Sequence, residues 1–220
     1  MATTFKPFGL KPAYHPSGLD RAVPFAGTNS FQAATDNTYN APYSLSADTA
    51  FYQYTPVGLN SSGQLTIAEV DAADGAVYGV FDGVEFTDSQ GRRSVAKWAS
   101  KATLDASTQI IFWIFQDTNL VYEAQVNGSV AASAIGSEFN FDATNTPSSG
   151  YSIGNGGAGF STTALAAAPV ASGAQGQVRV VGLGRETAFP YGETNAWGDD
   201  FTIVQVTIAN NSFVAPKVSV

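Results

Sequence analysis

The chain contains no cysteine, one histidine and one methionine. Without thiols it forms no disulfide and no thiolate metal site, which leaves the redox compartment open. Any Ser-His-acid triad would have to use His15, the only imidazole. Charge is scarce: 13% of residues carry it, against about a quarter in ordinary globular chains. No apolar run approaches a membrane span. The opening MATTFKPFG lacks an apolar signal core. These absences predict a chain that neither crosses a membrane nor passes through a cleaved secretion signal. The charge that exists is unbalanced, 10 Lys and Arg against 18 Asp and Glu, a net of −8. That sign disfavours nucleic acid as a partner of the whole molecule.

What is present is apolar and turn-rich. Hydrophobic residues make up 44% of the 220, enough for a real core and too many for general disorder. Pro7, Pro12, Pro16, Pro24 and Pro42 recur near the start with no hydrophobic period between them. Each removes a donor and favours extended geometry in its predecessor. Phe5, Phe8, Leu10, Tyr14, Phe25 and Phe31 are spread along the same stretch. The pattern predicts an extended N-terminal arm, residues 1–45, that lays its aromatic groups on another surface. The alternative is a first strand and loops of the same domain.

Residues 46–220 read as a single β-rich domain. FYQYTPV (51–57), QLTIAEV (64–70), QIIFWIFQ (109–116), LVYEAQV (120–126), QVRVVGLG (177–184) and FTIVQVTI (201–208) are strand candidates, and SFVAPKVSV (212–220) is an edge strand. AVYGVF (76–81) and VEFT (84–87) flank Asp82-Gly83, a two-residue hairpin signal. Helix signals are thin: VAASAIG (130–136), between Ser129 and Gly136, and STTALAAA (161–168) before Pro169. Residues 143–176, rich in Gly, Ala, Ser and Thr, read as a long surface excursion. The fold class expected is all-β, a sandwich of jelly-roll type or a small barrel with few short helices.

Reactive constellations are weak. Gly154-Asn155-Gly156-Gly157-Ala158-Gly159 satisfies G-x-G-x-x-G, but no buried strand precedes it and no acidic ribose ligand follows. His15 lies in the proposed arm, a poor place for a rigid base. Glu85, Glu123, Glu186 and Glu193 are candidates for a glycosidase pair. Asp71 and Asp74 before Gly75, and Asp199-Asp200 after Gly198, lack the spacing of a calcium loop and read as turn formers. The reading is of a non-enzyme with no metal and no cofactor.

Four of the ten basic residues stand between Arg92 and Lys101. Arg93, Lys97 and Lys101 align on one face of a short helix. If the segment is extended, Arg93, Val95, Lys97 and Ala99 share a face and Trp98 lies opposite. Arg and Trp are favoured anchors at interfaces. The segment is therefore either a docking surface for an acidic partner, another copy included, or solvated charge balancing Asp82, Glu85 and Asp88.

The order of segments carries a resemblance. PFGLKPAYHPSG (7–18) is followed by YGVFDGVEFTDSQGRRSVAKW (78–98), VYEAQVNGSVAASAIG (121–136), STTALAAA (161–168), VRVVGLGRE (178–186) and FTIVQVTIANNSF (201–213). This resembles the decoration, or cement, proteins of tailed-bacteriophage heads, through most of the chain but little over 26–50 and 187–200. The resemblance implies a β-rich structural protein on the outer surface of the virion capsid. Its partner would be the major capsid protein, and it would be a homo-oligomer, with a trimer favoured. The candidate contact residues are Phe5, Phe8, Tyr14, Phe25, Arg92, Arg93, Lys97, Trp98 and Lys101. Two alternatives stay open. One is a tail or head-fibre subunit that recognises glycans through Tyr151 or Tyr191; the other is a carbohydrate-active enzyme.

Overall fold

The computed structural model describes residues 5–18, 21–25, 41–47, 49–69, 75–142, 159–185 and 195–213. In chain order its strands are β1 (Lys11–Tyr14), β2 (Val23–Phe25), β3 (Ala50–Tyr52), β4 (Pro56–Leu59), β5 (Leu65–Ile67), β6 (Gly79–Thr87), β7 (Arg93–Ala96) and β8 (Trp98–Ser100). After a five-residue helix, α1 (Lys101–Asp105), come β9 (Thr108–Phe115), β10 (Val121–Gln125), β11 (Glu138–Phe139), β12 (Val178–Leu183) and β13 (Ile203–Ile208). Sheet A has five strands in the order β1-β10-β13-β12-β11. Sheet B has six: β2-β9-β6-β4-β5, with β7 also on β6. β3 and β8 form a separate pair. The fold is all-β with antiparallel sheets, as expected.

Alternation decides which residues face each core. In sheet A, Tyr122, Ala124, Val178, Val180, Val204 and Val206 face one core, which Leu10, Val80, Phe115 and Phe141 complete. In sheet B, Phe81, Val84, Phe86, Ile110, Phe112 and Ile114 face a second, closed by Phe51, Leu65, Ala99 and Leu104. Phe51 packs against both Phe81 and Phe112, with ring centroids 5.5 and 5.3 Å apart. Full burial of a side chain of this size stabilises by about 1.5–3 kcal/mol.

Several expectations are corrected. Asp82-Gly83 is no turn: β6 continues through it with a register shift between Phe81 and Gly83, and Gly83 pairs with Trp113. A Cβ on Gly83 would stand 3.0 Å from the Ala96 carbonyl oxygen, so the glycine serves close approach of backbones. The hairpin turns at Asp88–Arg92 instead. There the Gly91 N–H donates to the Asp88 carbonyl (2.9 Å), the Asp88 N–H donates to the Arg92 carbonyl (2.9 Å), and Gly91 has φ +78°. That is a three-residue loop with its left-handed glycine. The stretch 51–57 is two strands, broken where Tyr54 takes φ +68°.

The segment 161–168 is not helical. The N–H groups of Ser161 and Leu165 donate to the carbonyls of Gln53 and Gln125, so the segment is bonded to distant extended backbone instead of to itself. The helix expected over 130–136 is one 3-10 turn, Ala132–Ala134, preceded by Ala131 rather than capped by Ser129. Gly136, at φ +91°, does end it. Of the proposed excursion, 143–158 lies outside the described residues, and Ser161–Leu165 are buried.

The arm is corrected most. Its described parts are extended, but they belong to the domain. β1 pairs with β10 at one edge of sheet A, and β2 pairs with β9 at one edge of sheet B. Leu10 is fully buried, and Tyr43 lies in the second core with its hydroxyl donating to Asp105 (2.6 Å). These strands could join the sheets' edges because Pro12 and Pro24 are tolerated there. Phe31 and the tail 214–220 lie outside the described residues.

Candidate interaction surface

The basic segment forms strand β7, the bend at Lys97, strand β8 and the start of α1. Every cation in it has a carboxylate. Lys97 Nζ meets Asp82 Oδ1 at 2.9 Å, Arg93 Nε meets Glu85 Oε1 at 2.5 Å, and Arg92 meets Asp88 Oδ2 at 2.9 Å. Lys101 meets Asp105 Oδ2 at 2.6 Å, one turn along α1. The Arg93 hydrogen bond holds Glu85 below the usual carboxylate range and raises Arg93 in turn. The backbone N–H of Arg92, with its side chain, holds Asp88 down. Burial pushes Asp105 up, but Lys101 and Tyr43 outweigh it and the net shift is downward. The expected docking site for an acidic partner is therefore a charge-neutral ladder, which matches the balancing alternative.

The phase of the segment also differs from expectation. Arg93, Val95 and Lys97 are exposed together, but the bend at Lys97 shifts the alternation by one residue. Trp98 then joins the exposed side and Ala99 is buried. Trp98 stacks on Tyr52, with centroids 6.3 Å apart and planes 14° apart. Two residues along the chain, Tyr54 stacks on Phe160 at 5.6 Å and 10°. Gln53, between the two tyrosines, donates through Nε2 to the same Asp82 Oδ1 that holds Lys97 (2.9 Å). Gly159 lies against the Trp98 ring. Two half-exposed aromatic stacks thus flank the neutral ladder. Of this set the sequence reading singled out Trp98 and the cations. It missed Tyr52, Gln53 and Tyr54, whose only signal was the Tyr-Gln-Tyr alternation in 52–54, and Phe160, which carried none.

The aromatic residues of the arm are not brought together. Phe5 packs on Phe201 (5.0 Å), Phe25 on Tyr78 (5.4 Å), and Arg185 covers the Tyr14 ring (5.6 Å). Phe8 is half-buried. They serve separate local contacts of this chain rather than one anchor surface. His15 is a clasp: Nδ1 accepts the Ser17 N–H (3.0 Å) and Nε2 faces Asp117 Oδ2 at 3.1 Å, tying the end of β1 to the β9–β10 turn.

The candidate carboxylates do not converge. Glu85 is on sheet B, Glu123 is buried on sheet A and accepts the Arg185 N–H (2.6 Å), and Glu186 and Glu193 lie outside the described residues. So do Asp71, Asp74, Tyr151, Tyr191 and residues 154–158 of the glycine motif. Asp199 accepts the Ala196 N–H (2.8 Å), the turn role expected of it. Glu138, unremarked in the sequence, is fully buried and accepts from Arg179 (2.5 Å), the Gly176 N–H (2.7 Å) and Gln175 (3.0 Å). Among the described residues no cluster of three or more His, Asp or Glu is placed to hold a metal, and no helix is long and apolar enough to cross a membrane. Comparison of the chain with protein-family models, with characterised proteins and with solved structures returns no match.

Proposed function

We propose that the chain is a structural attachment protein that stabilises a phage capsid from outside, as the resemblance of its segments implies. One observation carries the reading: the paired stacks Trp98–Tyr52 and Phe160–Tyr54, half exposed beside a ladder of internally neutralised charges. Interface cores favour aromatic groups and disfavour unpaired charge. Here rings that already lean on each other lose little side-chain freedom on docking. The paired carboxylates spare the partner the task of neutralising buried cations. Each copy would bury ~800 Å² per partner, and its preference for the finished lattice would lower that lattice's free energy by linkage.

The test uses DNA-free phage shells and the purified chain, with bound copies counted after sedimentation. Saturable binding of many copies per head is expected, weakened at least ~10-fold by Trp98→Ala combined with Phe160→Ala, the loss of two anchors. Absence from shells, or a few copies confined to the tail, overturns the reading.

A further inference from the structure

Among the described residues, the edges of the two large sheets are closed with one exception. β1 and β2 carry Pro12 and Pro24. β5 is covered by 42–44: the Ser44 N–H donates to Leu65 (2.8 Å) and the Leu65 N–H to Pro42 (3.0 Å). β11 is covered where the Val170 N–H donates to Glu138 (2.9 Å). β7 differs. The Asp88–Arg92 pair is hydrogen-bonded, so the alternation of an antiparallel ladder makes Phe86–Ser94 and Val84–Ala96 the next bonded pairs. The N–H and C=O groups of Arg93 and Val95 then point away from β6. Among the described residues nothing takes them. Val95 is also 73% exposed, more than any other large apolar residue described.

We infer that β7 pairs antiparallel with β7 of a second copy, about a twofold axis through Ser94, so that sheet B continues across both molecules. The register follows from the strand itself. Placing Arg93 opposite Val95 of the partner copy uses every outward backbone group on both strands, and Ser94 falls opposite Ser94. Each Val95 gains the aliphatic stem of the other copy's arginine as cover. The two arginines come near each other, but each is already held by its own Glu85, so the usual protection of an edge by charge is cancelled in advance. The inference does not rest on the capsid reading, because it concerns the free protein. A twofold pair differs from the trimer that the resemblance implies.

The chain has no cysteine, so a single Ser94→Cys is diagnostic. Residues opposite each other at a non-bonded position lie ~4.5 Å apart at Cα, within disulfide reach. Under mild oxidation Ser94→Cys should cross-link at least ~10-fold faster than Ser62→Cys, which sits on an exposed turn, because pairing raises the local concentration of thiols. Sedimentation should give twice 22.9 kDa for the unmodified chain. Val95→Pro, which removes an outward donor, should give the monomer mass. Val95→Lys, which keeps the backbone intact, should do the same if the proline variant fails to fold. An unmodified monomer at the highest attainable concentration, a trimer or dimer that survives Val95→Lys, or equal cross-linking at both sites overturns the inference.

Discussion

Gly9 holds the turn into β1 in a conformation that only glycine fits well. Its φ is +78°, and a Cβ there would stand 2.3 Å from the Tyr54 carbonyl oxygen, itself on a residue at φ +68°. Gly9→Ala should therefore destabilise by about 2–3 kcal/mol, read as a fall of roughly 5–10 °C in Tm by calorimetry. Arg179 is the other sensitive residue. It faces Glu138, which has no exposed surface. Arg179→Ala takes the guanidinium from that buried carboxylate while the Gly176 N–H and Gln175 amide stay on it, and should lower stability by about 2–3 kcal/mol in urea unfolding. Arg93→Ala, in an exposed pair, should leave the urea midpoint nearly unchanged. None of these differences was legible in the sequence. A glycine needed for backbone approach, such as Gly83, looks the same there as one needed for a turn. A buried Glu138 looks the same as a solvated one until its partners, forty residues away, are in place.

The β6–β7 hairpin, α1 and the β9–β10 turn share the pH response. Glu85, Asp88, Asp105 and Asp117 titrate lower in the folded chain than in the unfolded one, Asp117 chiefly through the Asn119 N–H. The unfolded chain therefore binds protons more readily, and acid favours unfolding. Their contribution should be complete above about pH 5, where ordinary carboxylates are ionised, and should fall away as pH drops through their lowered values. A Tm-against-pH curve should be flat above that point and fall below it, with Asp88→Asn flattening part of the acid limb; an unchanged slope in that variant would remove Asp88 from the account. The N-terminal strands make a second case at this scale. Deleting residues 1–30 removes an edge from each sheet along with Leu10. The outcome should be lost near-UV ellipticity and aggregation rather than a folded protein that merely fails to attach. Strand positions with strong alternation, such as β10 and β13, were legible from the sequence. The membership of β1 and β2 was not, since a proline-rich extended segment has the same local pattern whether its partner is its own sheet or another molecule.

For the whole molecule, the class of fold was readable from short apolar runs and frequent turn residues, because those features are local. The pairing order was not, because β1 meets β10 and β10 meets β13 across long stretches of chain. Charge behaves likewise: the basic cluster stood out in the sequence, but its cancellation needed β6 beside β7. On the proposed function, attachment to a shell should consequently change less than ~3-fold in rate between low and high salt, measured by stopped-flow scattering, where an unpaired basic patch would respond steeply. The strand order of the two sheets also bears on how the protein is made. Every strand of sheet B lies before residue 116, so that half can close while the ribosome is still at work. β10 must wait, because its inner neighbour β13 is residues 203–208. Through that interval the nascent chain carries Tyr122 and Ala124 bare, and it is then that a chaperone would have something to grip.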